Sequence, residues 1–581
     1  MPPDWINVDR QEGPNIDVRC DIILDGLPFQ DDSIDYISSQ NALPSLEVYY
    51  LWPALEELYR VLKVGGALRL GLPDLDKAIN AYKNHNRDYF WCWDWDTVSG
   101  NFITQATNYG CARTPLNYAF TKELLQKAGF KEVRQVAYHQ TSSLHPDIVE
   151  LDDRPAESFF VEAFKPDHFQ KDDKIVPGPA SQIHLSWTQD ASTSLTIVWH
   201  TPLGDHSTVA EYRKLNDETW ERVTGVTTPF FGRGTLHRAT VTGLRPATAY
   251  EYRVAGDEGV VPSMSETFCT RTAPPLGSTG YCFAFLCDIG LIGRLDGNAT
   301  GTKQIIDEIV SDNPLFVLGG GDYAYANRDG RYGAVGDAID AWFVQMQPAL
   351  TRFPFMAQYG NHEIYLHERF RDWAPRFAHP EGFDGGRNYS FDVGDAHFTA
   401  FFVPGPSLTG EQLLWLDADL AHARDRGIKW LIVYQHEPIY AHGHSHPARP
   451  ELRKVLAPIL EEHRVDLHLS GHDQNYERTF PLVGVPDNPT PTSSSQDCYE
   501  AGRGVIYAKV SPGGKMSEIR DDFSRFTTEQ QPFIAMRDDT AHHYALITVG
   551  AAGELKVDVY SIVGDGRPRV LLDSFRLVDT A

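Results

Sequence analysis

Residues 315–325 read Leu-Phe-Val-Leu-Gly-Gly-Gly-Asp-Tyr-Ala-Tyr, an apolar run that passes through three glycines into Asp322 and Tyr325. A short apolar run bounded by turn residues predicts a buried strand. Glycines beside an acid let backbone and a metal ion approach closely. The same pattern recurs four times. Phe283–Leu286 runs into Cys287-Asp288-Ile289-Gly290, and Phe355-Met356-Ala357 leads to Gly360-Asn361-His362-Glu363. Trp430–Tyr434 precedes His436-Glu437-Pro438-Ile439-Tyr440, and Leu467-His468-Leu469 precedes Gly471-His472-Asp473-Gln474. Each loop falls at the end of an apolar run, where an open α/β sheet presents its crevice.

Aspartate, asparagine, histidine and tyrosine together form an oxygen and nitrogen donor set, suited to iron, manganese or zinc and not to a thiolate site. A carboxylate can bridge two ions, which lie roughly 3.5–4 Å apart in sites that clamp an in-line phosphoryl displacement. One Gly-Asp alone is most often a turn. Five such loops in fixed order, each after a strand, make a site.

Residues 281–581 resemble the calcineurin-like metallophosphoesterases, and within them the purple acid phosphatase branch. The resemblance is carried by Gly321-Asp322-x-x-Tyr325, Gly360–Glu363 and the trailing Asn475-Tyr476-Glu477-Arg478. It implies an α/β four-layer sandwich holding two metal ions, iron with zinc, manganese or a second iron. Asp288, Asp322 and Tyr325 would hold the ferric ion, and Asn361, His436 and His472 the divalent one, with Asp322 bridging. His362 would contact the phosphate and assist the leaving group as general acid. Among His442, His444 and His446, one or more would surround the phosphate, and a solvent-facing role for each stays equally open. The implied reaction is hydrolysis of a small phosphate monoester by metal-bound hydroxide. Its rivals are a phosphodiesterase and a weakly active scaffold.

One departure stands out. The resemblance implies Gly-His-x-His where this chain has Gly471-His472-Asp473-Gln474. In an extended segment residues 472 and 474 face the same way, so Gln474 is expected to turn an amide oxygen, a weaker donor than imidazole, toward the first metal. Cys287 stands in place of a glycine and is expected to pack, not to ligate.

Upstream, residues 180–275 lose the helical period. Gln182–Trp187, Ser194–His200 and Ala249–Val254 alternate apolar and polar residues, which predicts a β-sandwich. With Leu244-Arg245-Pro246 and Tyr250-Glu251-Tyr252, they resemble the fibronectin-like domain that precedes the purple acid phosphatase catalytic domain. Residues 166–179, polar and proline-bearing, are expected to be a linker.

Residues 1–165 alternate strands and helices. Leu51, Leu55, Leu58, Tyr59 and Leu62 keep helical spacing, and Gly65-Gly66 is expected to end that helix. Glu57-Leu-Tyr-Arg60-Val-Leu-Lys63-Val-Gly65-Gly66, Cys20-Asp21 and Leu27-Pro28-Phe29 resemble a Rossmann-like class I methyltransferase that uses S-adenosylmethionine, begun partway through. The resemblance would place Asp9 on the cofactor ribose and Asp21 near its adenine. No Gly-x-Gly occurs in this region, so the turn that brings N–H groups against the cofactor is missing. The expectation is a degenerate interaction domain, or a gene read from the wrong start, without tight cofactor binding. Methyl transfer is the rival reading.

The 581 residues carry 52 Lys and Arg against 79 Asp and Glu, a net charge of −27. That field repels nucleic acid and anionic membranes. Seven scattered cysteines form no CxxC or zinc spacing. The first residues have no secretory pattern and no apolar run is long enough to span a bilayer, so the sequence as written is expected to stay in the cytoplasm.

Overall fold

A computed structural model describes residues 5–579, apart from 11, 24–25, 93, 166–179, 203–207, 230–233, 257–263, 295–297, 327–330, 332–334, 365–369, 404–407, 518–521 and 565. The expected linker, 166–179, lies outside the described residues. The chain divides into two compact units, 1–174 with 364–371 and 175–363 with 372–581. Among the described residues no helix is long and apolar enough to cross a membrane.

The first unit is built on a four-stranded sheet in the order Ile34–Gln40, Leu62–Pro73, Ser158–Phe164, Lys131–Val136. The first pair is parallel and the other two are antiparallel. The helix Val48–Val61 turns Leu51, Leu55 and Leu58 into a core with Leu68, Leu70, Leu125 and Val161, as its apolar spacing requires. Gly65-Gly66 does not end this helix. The helix stops at Val61 and the next strand begins at once. Ile34 pairs with Leu62 and Tyr36 with Ala67, so residues 63–66 bulge from the ladder, with Gly65 at φ 76°.

Asp9 ends the two-residue strand Val8–Asp9, which pairs with Val18–Arg19 in a separate two-stranded sheet. Asp21 accepts a hydrogen bond from the Ile23 N–H and lies 3.9 Å from Arg10. Beneath the larger sheet, fully buried Arg69 is shared by Asp152 and Glu162, at 2.5 and 2.8 Å. Removing any one of these charges would strand the others in an apolar interior.

The second unit opens with the expected sandwich. One sheet orders Glu221–Thr224, Val209–Lys214, Ala249–Val254 and Phe268–Arg271. The other orders Val226–Pro229, Thr235–Thr242, Ser194–Thr201 and Ser181–Ser186. Trp199, Ile197, Tyr252 and Val254 fill the space between them. The Tyr250 hydroxyl accepts from the Arg245 N–H at 2.9 Å, pinning the turn that leads into Ala249–Val254.

Two seven-stranded sheets follow. The first orders Phe355–Ala357, Val317–Gly319, Tyr281–Leu286, His542–Val549, Glu554–Ile562, Val570–Val578 and Cys498–Glu500. The second orders Tyr389–Val393, Ala396–Ala400, Trp430–Tyr434, Leu467–Ser470, Ile506–Val510, Tyr476–Thr479 and Ile534–Asp538. Their facing side chains form one core, with Phe283, Phe285 and Phe316 of the first meeting Phe391, Phe398 and Ile432 of the second. A fully buried side chain of this size contributes about 1.5–3 kcal/mol, so the two sheets are firmly joined. Helices Gly410–Asp425 and Pro450–Glu462 cover the outer face of the second sheet with Leu416, Leu420, Leu452 and Leu456. Because helices and sheets cover both faces, the parallel strands are continuous apolar runs without alternation.

Candidate metal centre

Five loops meet at the carboxyl ends of parallel strands. Asp288 follows Tyr281–Leu286, Asp322 follows Val317–Gly319 and Asn361 follows Phe355–Ala357. His436 follows Trp430–Tyr434, and His472 follows Leu467–Ser470. Four of the expected ligands hold left-handed backbone, with φ 53° at Asp288, 54° at Asp322, 50° at Tyr325 and 72° at His472. Such residues cost on the order of 1–3 kcal/mol each, and they persist only where neighbours over-determine them.

Glu363 supplies much of that determination. Its carboxylate accepts from the N–H groups of Asp322, Tyr323 and Gly360 at 2.7, 2.8 and 2.8 Å. The His362 N–H donates to Asp322 Oδ1 at 2.9 Å. Asp288 Oδ2 accepts from the His472 N–H at 3.0 Å and from the Ser511 hydroxyl at 2.8 Å. Two glycines permit the approach. A Cβ on Gly360 would fall 2.2 Å from Asp322 Oδ1, and one on Gly471 would fall 2.6 Å from Asp288 Oδ2.

The side chains converge. The Tyr325 hydroxyl donates to Asp288 Oδ1 at 2.7 Å and lies 3.3 Å from Asp322 Oδ2. The same Asp322 oxygen is 3.1 Å from His436 Nε2, which is 3.1 Å from His472 Nδ1. One ligand atom from each of Asp322, His436 and His472 lies within 4.8 Å of the others. Asp322 therefore stands between an Asp288–Tyr325 pair and a His436–His472 pair.

Gln474 reaches the site by an unexpected route. His472 is left-handed and Gly471–Asn475 bends, so the extended-segment reading of this loop is corrected. The bend still buries Gln474, with Nε2 3.2 Å from the Tyr325 hydroxyl and 3.5 Å from Asp288 Oδ1. Asn361 Oδ1 and Gln474 Oε1 are buried without a hydrogen-bond partner. Leaving such an acceptor unsatisfied costs about 1–3 kcal/mol, and a cation would remove that cost. Carboxylates, imidazoles, a phenol and two unsatisfied amide oxygens together fit a pair of metal ions.

The electrostatics set the histidines apart: burial would lower His436, but Asp322 and Asp288 outweigh it and raise it to about 10. Burial would raise the Asp322 carboxyl, but His436, then His362, outweigh it and hold it far below the carboxylate range. Burial, then His446 and His436, drives His472 well down, leaving the neutral imidazole that binds metals. Cys287 packs as expected. Its buried thiol donates to the Val510 carbonyl at 3.0 Å, and burial pushes its pKa well up.

The three loop histidines have different surroundings. His446 lies against His472, ring centroids 4.2 Å apart. His444 Nδ1 accepts from the Arg525 N–H at 2.8 Å, and His442 Nδ1 is 2.9 Å from Glu477. The His362 ring lies 4.2 Å from that of Tyr325. Several contributors left no sign that the sequence reading used. Asp473 is buried against Lys509 at 2.9 Å and accepts from the N–H groups of Gly443 and His446, tying the histidine loop to the fifth motif. Lys515 sits 4.2 Å over the Tyr325 ring. Ser511 and Lys515 lie in no motif that could have drawn notice.

Known proteins resemble three stretches of this chain. Residues 180–272 match the purple acid phosphatase N-terminal domain, 283–476 the calcineurin-like phosphoesterases and 3–70 a methyltransferase domain. Purple acid phosphatase 23 of Arabidopsis thaliana is 30% identical over 320 residues, covering 50% of this chain and 65% of its own length, just under two thirds. Human acid phosphatase type 7 is 28% identical over 383 residues, covering 61% of this chain and 82% of its own. A purple acid phosphatase from yellow lupin (Lupinus luteus) seeds superposes with a TM-score of 0.59 at 19% identity, covering 69% of this chain and 75% of that one, a likeness of fold. The chain thus resembles, in order, a methyltransferase domain, the purple acid phosphatase N-terminal domain and the calcineurin-like phosphoesterases.

Proposed function

We propose that the second unit hydrolyses small phosphate monoesters at a dinuclear metal centre. The observation that carries this reading is the place of Asp322, within 3.3 Å of both the Tyr325 hydroxyl and His436 Nε2. Asp288, Asp322, Tyr325 and Gln474 would hold one ion, and Asp322, Asn361, His436 and His472 the other. Such a pair supplies Lewis acidity and lowers the pKa of water enough to give a nucleophile near neutral pH.

The chain's own groups do the rest. Asp322 is kept ionised by the surrounding imidazoles, so it can serve both ions at once. Tyr325 and Asp288 hold each other in place. His362, fixed by its own N–H on Asp322, hydrogen-bonds the phosphate and passes its imidazole proton to the departing alkoxide. His446 approaches from the His472 side and orients the phosphate oxygens. Asp473 holds its loop.

The test compares p-nitrophenyl phosphate with bis(p-nitrophenyl) phosphate, with and without chelation. The reading predicts metal-dependent turnover with kcat/KM at least tenfold higher for the monoester, and a His362→Ala loss of about 10²–10⁴-fold in kcat. Equal or better turnover of the diester would reassign the enzyme to phosphodiesters.

A further inference from the structure

Tyr325 carries a cation on the face of its ring. Lys515 Nζ lies 4.2 Å from the ring centroid, and both side chains are fully buried. An ammonium is attracted to an aromatic face, and more strongly where water is kept out. The same Nζ donates to the Met516 carbonyl at 2.9 Å, which fixes its direction.

The backbone holds Lys515 in that place. Residues 511–515 are fastened to the loop that carries Asp288. The Ser511 hydroxyl donates to Asp288 Oδ2 at 2.8 Å. The Gly513 N–H donates to the Cys287 carbonyl at 2.7 Å, and the Lys515 N–H to the Asp288 carbonyl at 3.2 Å. The lysine stem crosses Gly290, where a Cβ would fall 3.1 Å from Lys515 Cβ and 3.4 Å from its Cδ. One loop thus positions both the ammonium and the carboxylate that accepts from the Tyr325 hydroxyl.

On the dinuclear reading above, we propose that Lys515 sets the charge preference of the metal site built on Tyr325, turning it from a trivalent toward a divalent ion. A cation over the ring draws electron density to its face and away from the hydroxyl oxygen, so the phenol donates less to an ion. A trivalent ion depends most on that donation, and it carries one more positive charge for the ammonium to repel. Gln474 weakens the same site through a different donor. The two side chains act in one direction by separate means.

The full chain, stripped of metal by chelation and reloaded with gallium(III) and manganese(II) together, tests this by elemental analysis after dialysis. Lys515→Met, close in shape and neutral, raises the gallium-to-manganese ratio by about tenfold or more. Lys515→Arg, which keeps the charge and stacks on aromatic rings, leaves the ratio within about threefold. Reloaded with iron(III), the methionine variant shows its phenolate-to-iron band at longer wavelength, because the electron no longer leaves a ring stabilised by a cation. Lost packing alone would not separate methionine from arginine in this way. A ratio and a band unchanged in Lys515→Met would overturn the proposal, and so would an arginine variant that behaves as the methionine one. If Lys515→Met fails to fold, Lys515→Gln takes its place. A ferric band in the unaltered chain at longer wavelength than that of an aqueous iron(III)–phenol complex would overturn the proposal without any variant. An unaltered chain that binds no ion contradicts the dinuclear reading itself, whereas two bound ions with indistinguishable variants contradict only the role of Lys515.

Discussion

Gln474 Nε2 lies 3.2 Å from the Tyr325 hydroxyl, at the position from which the purple acid phosphatase resemblance expects an imidazole to reach the first metal. The neutral amide offers that ion a weaker donor than imidazole. Gln474→His is expected to raise iron retention through dialysis, deepen the visible tyrosinate charge-transfer band and increase phosphatase rate per chain. If the unaltered protein already holds two ions through dialysis, and the histidine variant changes neither metal content nor rate, Gln474 does not serve the metal.

Glu363 accepts three N–H groups from the two loops that carry Asp322 and Asn361. Glu363→Gln keeps the shape but turns one oxygen into a donor facing N–H groups, and the loss is about 2–3 kcal/mol. The left-handed backbone at Asp322 should then relax. The expected result is weaker metal binding by at least tenfold with a modest fall in melting temperature. Unaltered metal affinity would show that the loops hold their conformation without this carboxylate.

His397, buried in the second sheet, is gripped by Asp392 at 2.7 Å and Asp419 at 3.0 Å. Burial would lower its pKa, but these two acids outweigh it and hold it at about 9, against an ordinary 6.5. A raised pKa contributes stability that is complete below about 6.5 and is lost as pH rises through about 9. Relative to His397→Gln, the unaltered protein should therefore gain about 3 kcal/mol in mildly acidic solution, shrinking steadily between those values. Denaturant melts across that range check the sign. A difference that grows with pH would contradict the ion-pair account.

Most of the candidate site was legible because each expected ligand sits in a short motif behind an apolar run, and a strand's carboxyl end fixes where such a loop points. What was not legible depends on distance along the chain. Ser511 meets Asp288 across 223 residues, and Asp473 ties the His446 N–H to the fifth motif while paired with buried Lys509, with no local pattern. Likewise, the His472–Gln474 bend follows from left-handed backbone that an alternation rule does not foresee. Gly65-Gly66 misled for a related reason. Glycines after a helical period signal a cap, whereas here they shape a bulge in a strand.

Asp9 ends a two-residue strand outside the four-stranded sheet, and the region lacks a glycine-rich turn. S-adenosylmethionine is accordingly expected to give no calorimetric binding at micromolar concentration. Micromolar binding that disappears on Asp9→Ala would refute this.

The most direct test of the dinuclear reading is metal stoichiometry in Asp322→Asn, measured by elemental analysis beside p-nitrophenyl phosphate turnover. The swap keeps side-chain size while removing the charge that lies 3.1 Å from His436 Nε2. If Asp322 bridges the two ions, the unaltered chain carries close to two and the variant loses both, with turnover falling by about 10³-fold or more. Retention of two ions per chain with near-normal turnover in the variant would contradict the account.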